Sequence, residues 1–266
     1  MSTIDTLFTK LRGEGRKALM PFVTAGDPDL DFTAAVIREL VARGASLCEV
    51  GIPYSDPIAD GPVIQASYTR ALDSGVKLSA ILETLGKVVP QVAAPLVTMV
   101  SYAIVYRHGL EKYADELVQR GVAGMIVPDL PVEESPPLAE VCRRRDLSLI
   151  QLVTPTTPRD RALRITETSS GFLYYVSVAG ITGERTELPP ELVERVTWLR
   201  EQTPLPVCIG FGISEPRHVR LLAPVADGLI VGSAIVRRVA EAAAQGRQQT
   251  LAAVGEYLAS LAAALQ

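Results

Sequence analysis

ALMPFVTAGDPDLDFTAAVIRELVARGASLCEVGI, residues 18–52, reads as a strand, a helix and a second strand. The two ends, ALMPFVTA (18–25) and SLCEVGI (46–52), are continuous apolar runs with no two-residue alternation. That is the pattern of strands covered on both faces, as in a parallel sheet. Between them, DFTAAVIRELVARG (31–44) repeats apolar residues at helical spacing and stops at Gly44, where a glycine just past a helix is favoured. Asp27, Asp29 and Asp31 precede or open that helix and are expected to cap it.

The same alternation continues along the chain. Further strand runs are PLVTMVS (95–101), GMIVPDL (124–130), LSLIQLV (147–153), GFLYYVSV (171–178), PVCIGFG (206–212) and DGLIVGS (227–233). Amphipathic segments such as LEKYADELVQRG (110–121) and PELVERVTWLREQ (190–202) lie between them. Eight strands alternating with helices predict an α/β protein, a (β/α)8 barrel. The 266 residues suit it, since such barrels run to about 250 residues as one unit. Extra helices are expected at the N-terminus, to cap the barrel bottom, and between the second and third strands, where 62–74 and 78–90 both read as helical. No Pro/Gly/Ser-rich linker interrupts the pattern, so one domain over 1–266 is expected.

Composition narrows the partners. The net charge of −4 offers no electrostatic footprint for nucleic acid or an anionic membrane. The N-terminus lacks the apolar core of a signal peptide, and no apolar run approaches a membrane span. A cytoplasmic protein is the expectation. Cys48, Cys142 and Cys208 are an odd count without CxxC spacing, which argues against disulfides and zinc.

Barrel function collects at the C-terminal ends of the strands. Two carboxylates fall there. Glu49 interrupts the apolar run of the second strand, and Asp60 follows eleven residues later on a loop stiffened by Pro53, Pro57 and Pro62. Burial disfavours an ionised carboxylate, so a strand-borne Glu needs a purpose. Phe22, Tyr102, Asp129 and Tyr174 map to the same end, as do Gly210, Phe211 and Gly212, and Gly232 and Ser233. GFGIS (210–214) and VGSAIV (231–236) are each a glycine turn entering a helix. Such turns can cradle phosphate with backbone N–H groups, or can simply be tight turns; their place on the last two strands favours phosphate. The loop AGITGERTELPP (179–190) has the length and composition of a lid, or of a plain surface loop.

Absences narrow the chemistry. None of the five lysines ends a strand, which argues against a Schiff-base aldolase. The two histidines, His108 and His218, lie in or beside helices without metal-ligand spacing, and read as helix-surface residues; no metal site is expected. No nucleotide-binding glycine motif is present. Two carboxylates, several tyrosines and a phosphate cradle remain.

PFVTAGDP (21–28), EVGIPYSDPIADGPVIQ (49–65), PDLPVEES (128–135), TPTTP (154–158), GITG (180–183) and GFGIS (210–214) together resemble the tryptophan synthase α-subunit family, in order along the chain. The resemblance implies a lyase of tryptophan biosynthesis with the (β/α)8 fold, cleaving indole-3-glycerol phosphate to indole and glyceraldehyde 3-phosphate by a retro-aldol reaction. It implies Glu49 as the acid/base and Asp60 as the partner of the indole N–H. It places Phe22, Val100, Tyr102 and Tyr174 around the indole. Thr182 would reach Asp60, Gly183, Gly212, Gly232 and Ser233 would bind the phosphate, and Phe211 would be among the substrate-binding residues. Pro53, Asp56 and Pro57 would face a β subunit in an α2β2 tetramer. No cofactor is implied for this chain, pyridoxal phosphate belonging to the β subunit. A stand-alone lyase that releases free indole is the alternative within the same fold, and a barrel that only binds and activates a partner is the alternative from another class.

Overall fold

The computed structural model describes residues 2–58, 60–177, 188–210 and 212–265. Eight parallel strands close into a barrel: β1 (Ala18–Thr24), β2 (Cys48–Gly51), β3 (Leu96–Met99), β4 (Gly124–Ile126), β5 (Ser148–Val153), β6 (Leu173–Val176), β7 (Val207–Gly210) and β8 (Gly228–Val231). β1 pairs with both β2 and β8, so the sheet has no free edge. Every strand lies inside a run expected from the sequence.

Side chains alternate between two apolar layers. Leu19 and Val23 of β1, with Cys48 and Val50 of β2, pack outward against the helices. Ala18, Met20 and Phe22 point inward, with Val97 and Met99 of β3, Tyr174 of β6 and Ile230 of β8. The strand runs are apolar throughout because both faces of each strand are buried.

The helix Thr3–Gly13 plugs the barrel bottom. Its Ile4, Phe8 and Leu11 join the inner layer, and the Phe8 ring meets Phe172 at 5.8 Å between centroids. It begins before Asp5 because Ser2 and Asp5 form a reciprocal capping box. Between β2 and β3 the two helices Pro62–Asp73 and Leu78–Val88 are both present.

Two local expectations change. Asp29 alone caps the helix Leu30–Ala42, accepting from the Phe32 amide at 2.9 Å. Asp27 instead takes a two-point hydrogen bond from Arg70, at 2.9 and 2.6 Å, with its carboxylate buried. After β3 a short helix, Tyr102–His108, precedes Leu110–Gln119. Gly109 separates them at φ 95°, a conformation glycine adopts without strain. Among the described residues no helix is long and apolar enough to cross a membrane.

Candidate active site

The C-terminal ends of the strands surround a cavity of about 420 Å³. Phe22, Met99 and Tyr174 contribute from the barrel interior, Asp60 and Gly61 from the loop after β2 with Pro62 to Ile64 from the helix start that follows, and Gly212 to Ser214 from the loop after β7. Gly232, Ser233 and Arg237 complete it after β8. Residues from both ends of the chain thus meet in one pocket.

Glu49 sits level with Phe22 on β1 and with Val97 on β3. Both neighbours belong to the inner layer, so the Glu49 side chain enters the barrel with them. It is completely buried, and neither carboxylate oxygen has a hydrogen-bond partner among the described residues. Loss of hydration pushes its pKa well above the usual carboxylate range. Burial thus biases Glu49 toward its protonated form, enclosed in the barrel beside Phe22 rather than on the cavity wall.

Asp60 lies on the cavity wall itself. Its pKa is raised to about 6 by partial burial. The loop that carries it is stapled by the chain that follows. The Asp60 amide donates to the Pro57 carbonyl at 3.0 Å, and Gln65 Nε2 donates to the Asp60 carbonyl at 2.8 Å. Gln65 is a positioning residue that the sequence analysis does not single out; its place in the first turn of the helix Pro62–Asp73 is the signal. The site thus pairs a carboxyl that burial biases toward its protonated form with one on the loop that ionises above about pH 6. That division of labour suits proton transfer beside charge stabilisation.

The opposite wall is built from a glycine turn and a helix start. Gly212 has φ 78°, and an added Cβ would meet nothing within 4 Å, so backbone conformation rather than crowding selects glycine there. Gly232 precedes the helix Ser233–Ala240, whose first amides have no helical acceptor. Below it, Gly210 is demanded by contact: a Cβ there would collide with the Tyr174 ring.

The β7 loop is clamped from outside the cavity. Tyr257, on the helix Arg247–Ala263, donates its hydroxyl to the Ser214 carbonyl at 3.0 Å. The Ser214 amide donates to His218 Nδ1 at 3.3 Å. The Arg238 guanidinium stacks on the Tyr257 ring at 3.5 Å. His218 is therefore not a helix-surface residue; it is buried, and desolvation lowers its pKa toward the neutral acceptor form.

Other expected site residues fall elsewhere. Val100 points into the outer layer between sheet and helices, and Met99 takes the cavity position because it is in phase with Val97. Tyr102 opens the short helix, its amide held by Asp129 Oδ1 at 2.7 Å and its ring 5.9 Å from Tyr106. Ser101 donates to the other Asp129 oxygen at 2.7 Å, so Asp129 anchors this helix start. Pro53 and Pro57 are buried, while Asp56 and Ile58 are exposed at the loop tip. Thr182, Gly183 and Phe211 lie outside the described residues, as does most of the 179–190 loop. Among the described residues no group of three or more His, Cys, Asp or Glu could hold a metal ion.

A closed (β/α)8 barrel with a buried carboxyl, a second carboxylate and a glycine-bordered helix start at the C-terminal ends of its strands has the layout of a barrel enzyme. The model of the family "Tryptophan synthase alpha chain" matches residues 8–266, and the chain belongs to that family. A tryptophan synthase alpha chain from Rhodopirellula baltica is 63% identical over 245 residues, covering 91% of this chain and 88% of the relative. Among solved structures, tryptophan synthase subunit alpha from Legionella pneumophila str. Paris superposes with a TM-score of 0.91 at 34% identity, over 100% of this chain and 98% of that one. A tryptophan synthase complex from Pyrococcus furiosus gives a TM-score of 0.83 at 33% identity, over 92% and 98%.

Proposed function

We propose that the chain, working as one barrel domain, cleaves indole-3-glycerol phosphate to indole and glyceraldehyde 3-phosphate as the alpha subunit of a tryptophan synthase. One observation carries the assignment of roles. The unpartnered, fully buried Glu49 adjoins a cavity that has the Asp60 carboxylate on one wall and a glycine-lined helix start on another.

The reaction breaks the bond between indole C3 and the hydroxyl-bearing carbon of the glycerol chain. Its electrons need a sink, and the ring becomes one when C3 is protonated. Glu49, held neutral by burial, is the proton source, and it reaches C3 by turning into the cavity. The indolenine cation then carries positive charge at its N–H. Asp60, ionised above pH about 6, accepts that hydrogen bond and stabilises the charge. As the bond breaks, the glycerol hydroxyl becomes an aldehyde and returns its proton to the Glu49 carboxylate. The electron pair of the broken bond enters the ring and neutralises the cation, the added proton stays on C3, and indole leaves neutral with Glu49 reprotonated and no net redox change. Phe22, Met99 and Tyr174 provide the apolar wall for the ring, and the amides near Gly212, Gly232 and Ser233 receive the phosphate.

The exposed loop tip at Asp56 and Ile58, the latter 92% exposed, supports a β subunit as partner on the Asp60 loop, with pyridoxal phosphate held by that subunit. A partner pressing on this loop would act on Asp60 through the Gln65 staple.

The deciding experiment is indole release from indole-3-glycerol phosphate, with and without a tryptophan synthase β subunit. Slow cleavage that the β subunit accelerates is expected. Full-rate cleavage by the isolated chain would select the stand-alone lyase, and no cleavage in either mixture would overturn both.

A further inference from the structure

We infer that Arg237 is the side-chain cation of the phosphate subsite and that it fixes which end of the substrate enters which end of the cavity. The inference rests on the substrate proposed above.

Arg237 lies four residues after Ser233 on the helix Ser233–Ala240. Residues four apart share a helix face, and Arg237 and Ser233 are both exposed on theirs. Both line the cavity, together with Gly212 and Gly232. Among the described residues, no hydrogen bond or ion pair engages the Arg237 guanidinium. The contrast with its neighbour is sharp. Arg238 is committed to the fold: its guanidinium covers the Tyr257 ring, and its Nη1 donates to the Ala234 carbonyl at 2.8 Å. Of two adjacent arginines, one is used in packing and the other is left at the pocket.

The chemistry of the ligand explains the need. A helix N-terminus offers a partial charge of about half a unit, whereas a phosphate monoester carries about two negative charges at neutral pH. Backbone amides alone leave much of that charge uncompensated. A guanidinium offers a planar fork of donors matched to phosphate oxygens. Asp60 is the other charged residue on the cavity wall, and it forms no ion pair with Arg237. The pocket therefore carries a negative group and a positive group that do not neutralise one another. A substrate with a ring N–H at one end and a phosphate at the other is favoured in one orientation and opposed in the reverse.

The test compares wild type with Arg237→Gln and Arg237→Lys, each assayed with the β subunit present. Thermal melts confirm that the variants fold. Expected for Arg237→Gln is a KM for indole-3-glycerol phosphate raised by about tenfold or more, the size of a lost charge-assisted hydrogen bond, with kcat within about twofold. Arg237→Lys should recover part of the loss. Calorimetric titration of the isolated chain with inorganic phosphate should show the same weakening, and wild-type affinity should fall more steeply with salt than that of Arg237→Gln. Unchanged KM and unchanged phosphate affinity in Arg237→Gln would overturn the inference. The phosphate titration needs no turnover. A wild-type chain that binds phosphate through Arg237 but cleaves nothing would therefore sink the proposed reaction while leaving the pairing intact.

Discussion

Glu49 and Phe22 stand at the same register on β2 and β1, and both side chains enter the barrel. One lines the cavity and the other is fully enclosed beside it. Removing the proton that Glu49 holds should therefore remove catalysis without disturbing the pocket. Glu49→Gln is expected to lower kcat by about 10²–10⁴-fold, the usual contribution of a positioned acid/base. KM should change little. Retention of wild-type kcat would show that the proton comes from elsewhere.

The same burial makes a stability prediction. Glu49 has a folded pKa raised above its unfolded value, so the folded state binds the extra proton. Its contribution is most favourable below the unfolded pKa, and it is lost as pH rises toward the folded one. Glu49→Gln cannot ionise. The Tm of the variant should exceed that of wild type by several degrees at pH 8 and by little at pH 4.5, because each kcal/mol moves Tm by about 2–4 °C in a chain of this size. Melting curves across that pH range check it, and a Tm difference independent of pH would contradict a neutral buried Glu49.

Asp60 titrates in the opposite role. With its pKa near 6, it is ionised at neutral pH and loses its charge as the pH falls. Protonated, it no longer stabilises a cationic ring. The acid limb of kcat/KM should therefore bend near pH 6 and fall by about tenfold per unit below it. Asp60→Asn should abolish that limb and hold activity low at all pH values. A profile for the Asn variant that still bends near pH 6 would assign the limb to another group.

Much of this arrangement could be read from residue order. The strands were legible because burial on both faces of a closed sheet leaves each one continuously apolar, and Glu49 stood out against that background. Pairings between residues distant in sequence were not legible. Asp27 looks like a helix cap beside Asp29, and only the packing of the helix Pro62–Asp73 brings Arg70 to it. Val100 and Met99 are adjacent apolar residues, and strand phase alone decides which faces the cavity. Tyr257 carries no local signal for its hold on Ser214, which it reaches from a helix far along the chain, whereas His218 lies within one helical turn of Ser214.

That hold should matter for substrate binding. Tyr257→Phe keeps the ring, and with it the Arg238 stack, but removes the hydroxyl from the Ser214 carbonyl. A single hydrogen bond of this kind is worth about 1 kcal/mol. The expected result is a KM raised by about fivefold with kcat nearly unchanged, and a small drop in Tm. An equal Tm loss with an unaltered KM would make Tyr257 a packing residue only.

The Asp27–Arg70 pair offers a test away from the chemistry. Asp27 is 2% exposed, while the Arg70 side chain is 43% exposed. The carboxylate is thus the partner that depends on the pair, because it cannot return to water without moving the backbone. Arg70→Met should leave a buried charge with its principal partner gone and destabilise the fold by about 2–3 kcal/mol. Replacing both residues, Asp27→Asn with Arg70→Met, should cost less than Arg70→Met alone, since the orphaned charge disappears. Urea melts of the two single variants and the double variant measure the coupling, and additive losses would show that Asp27 is solvated well enough to stand without Arg70.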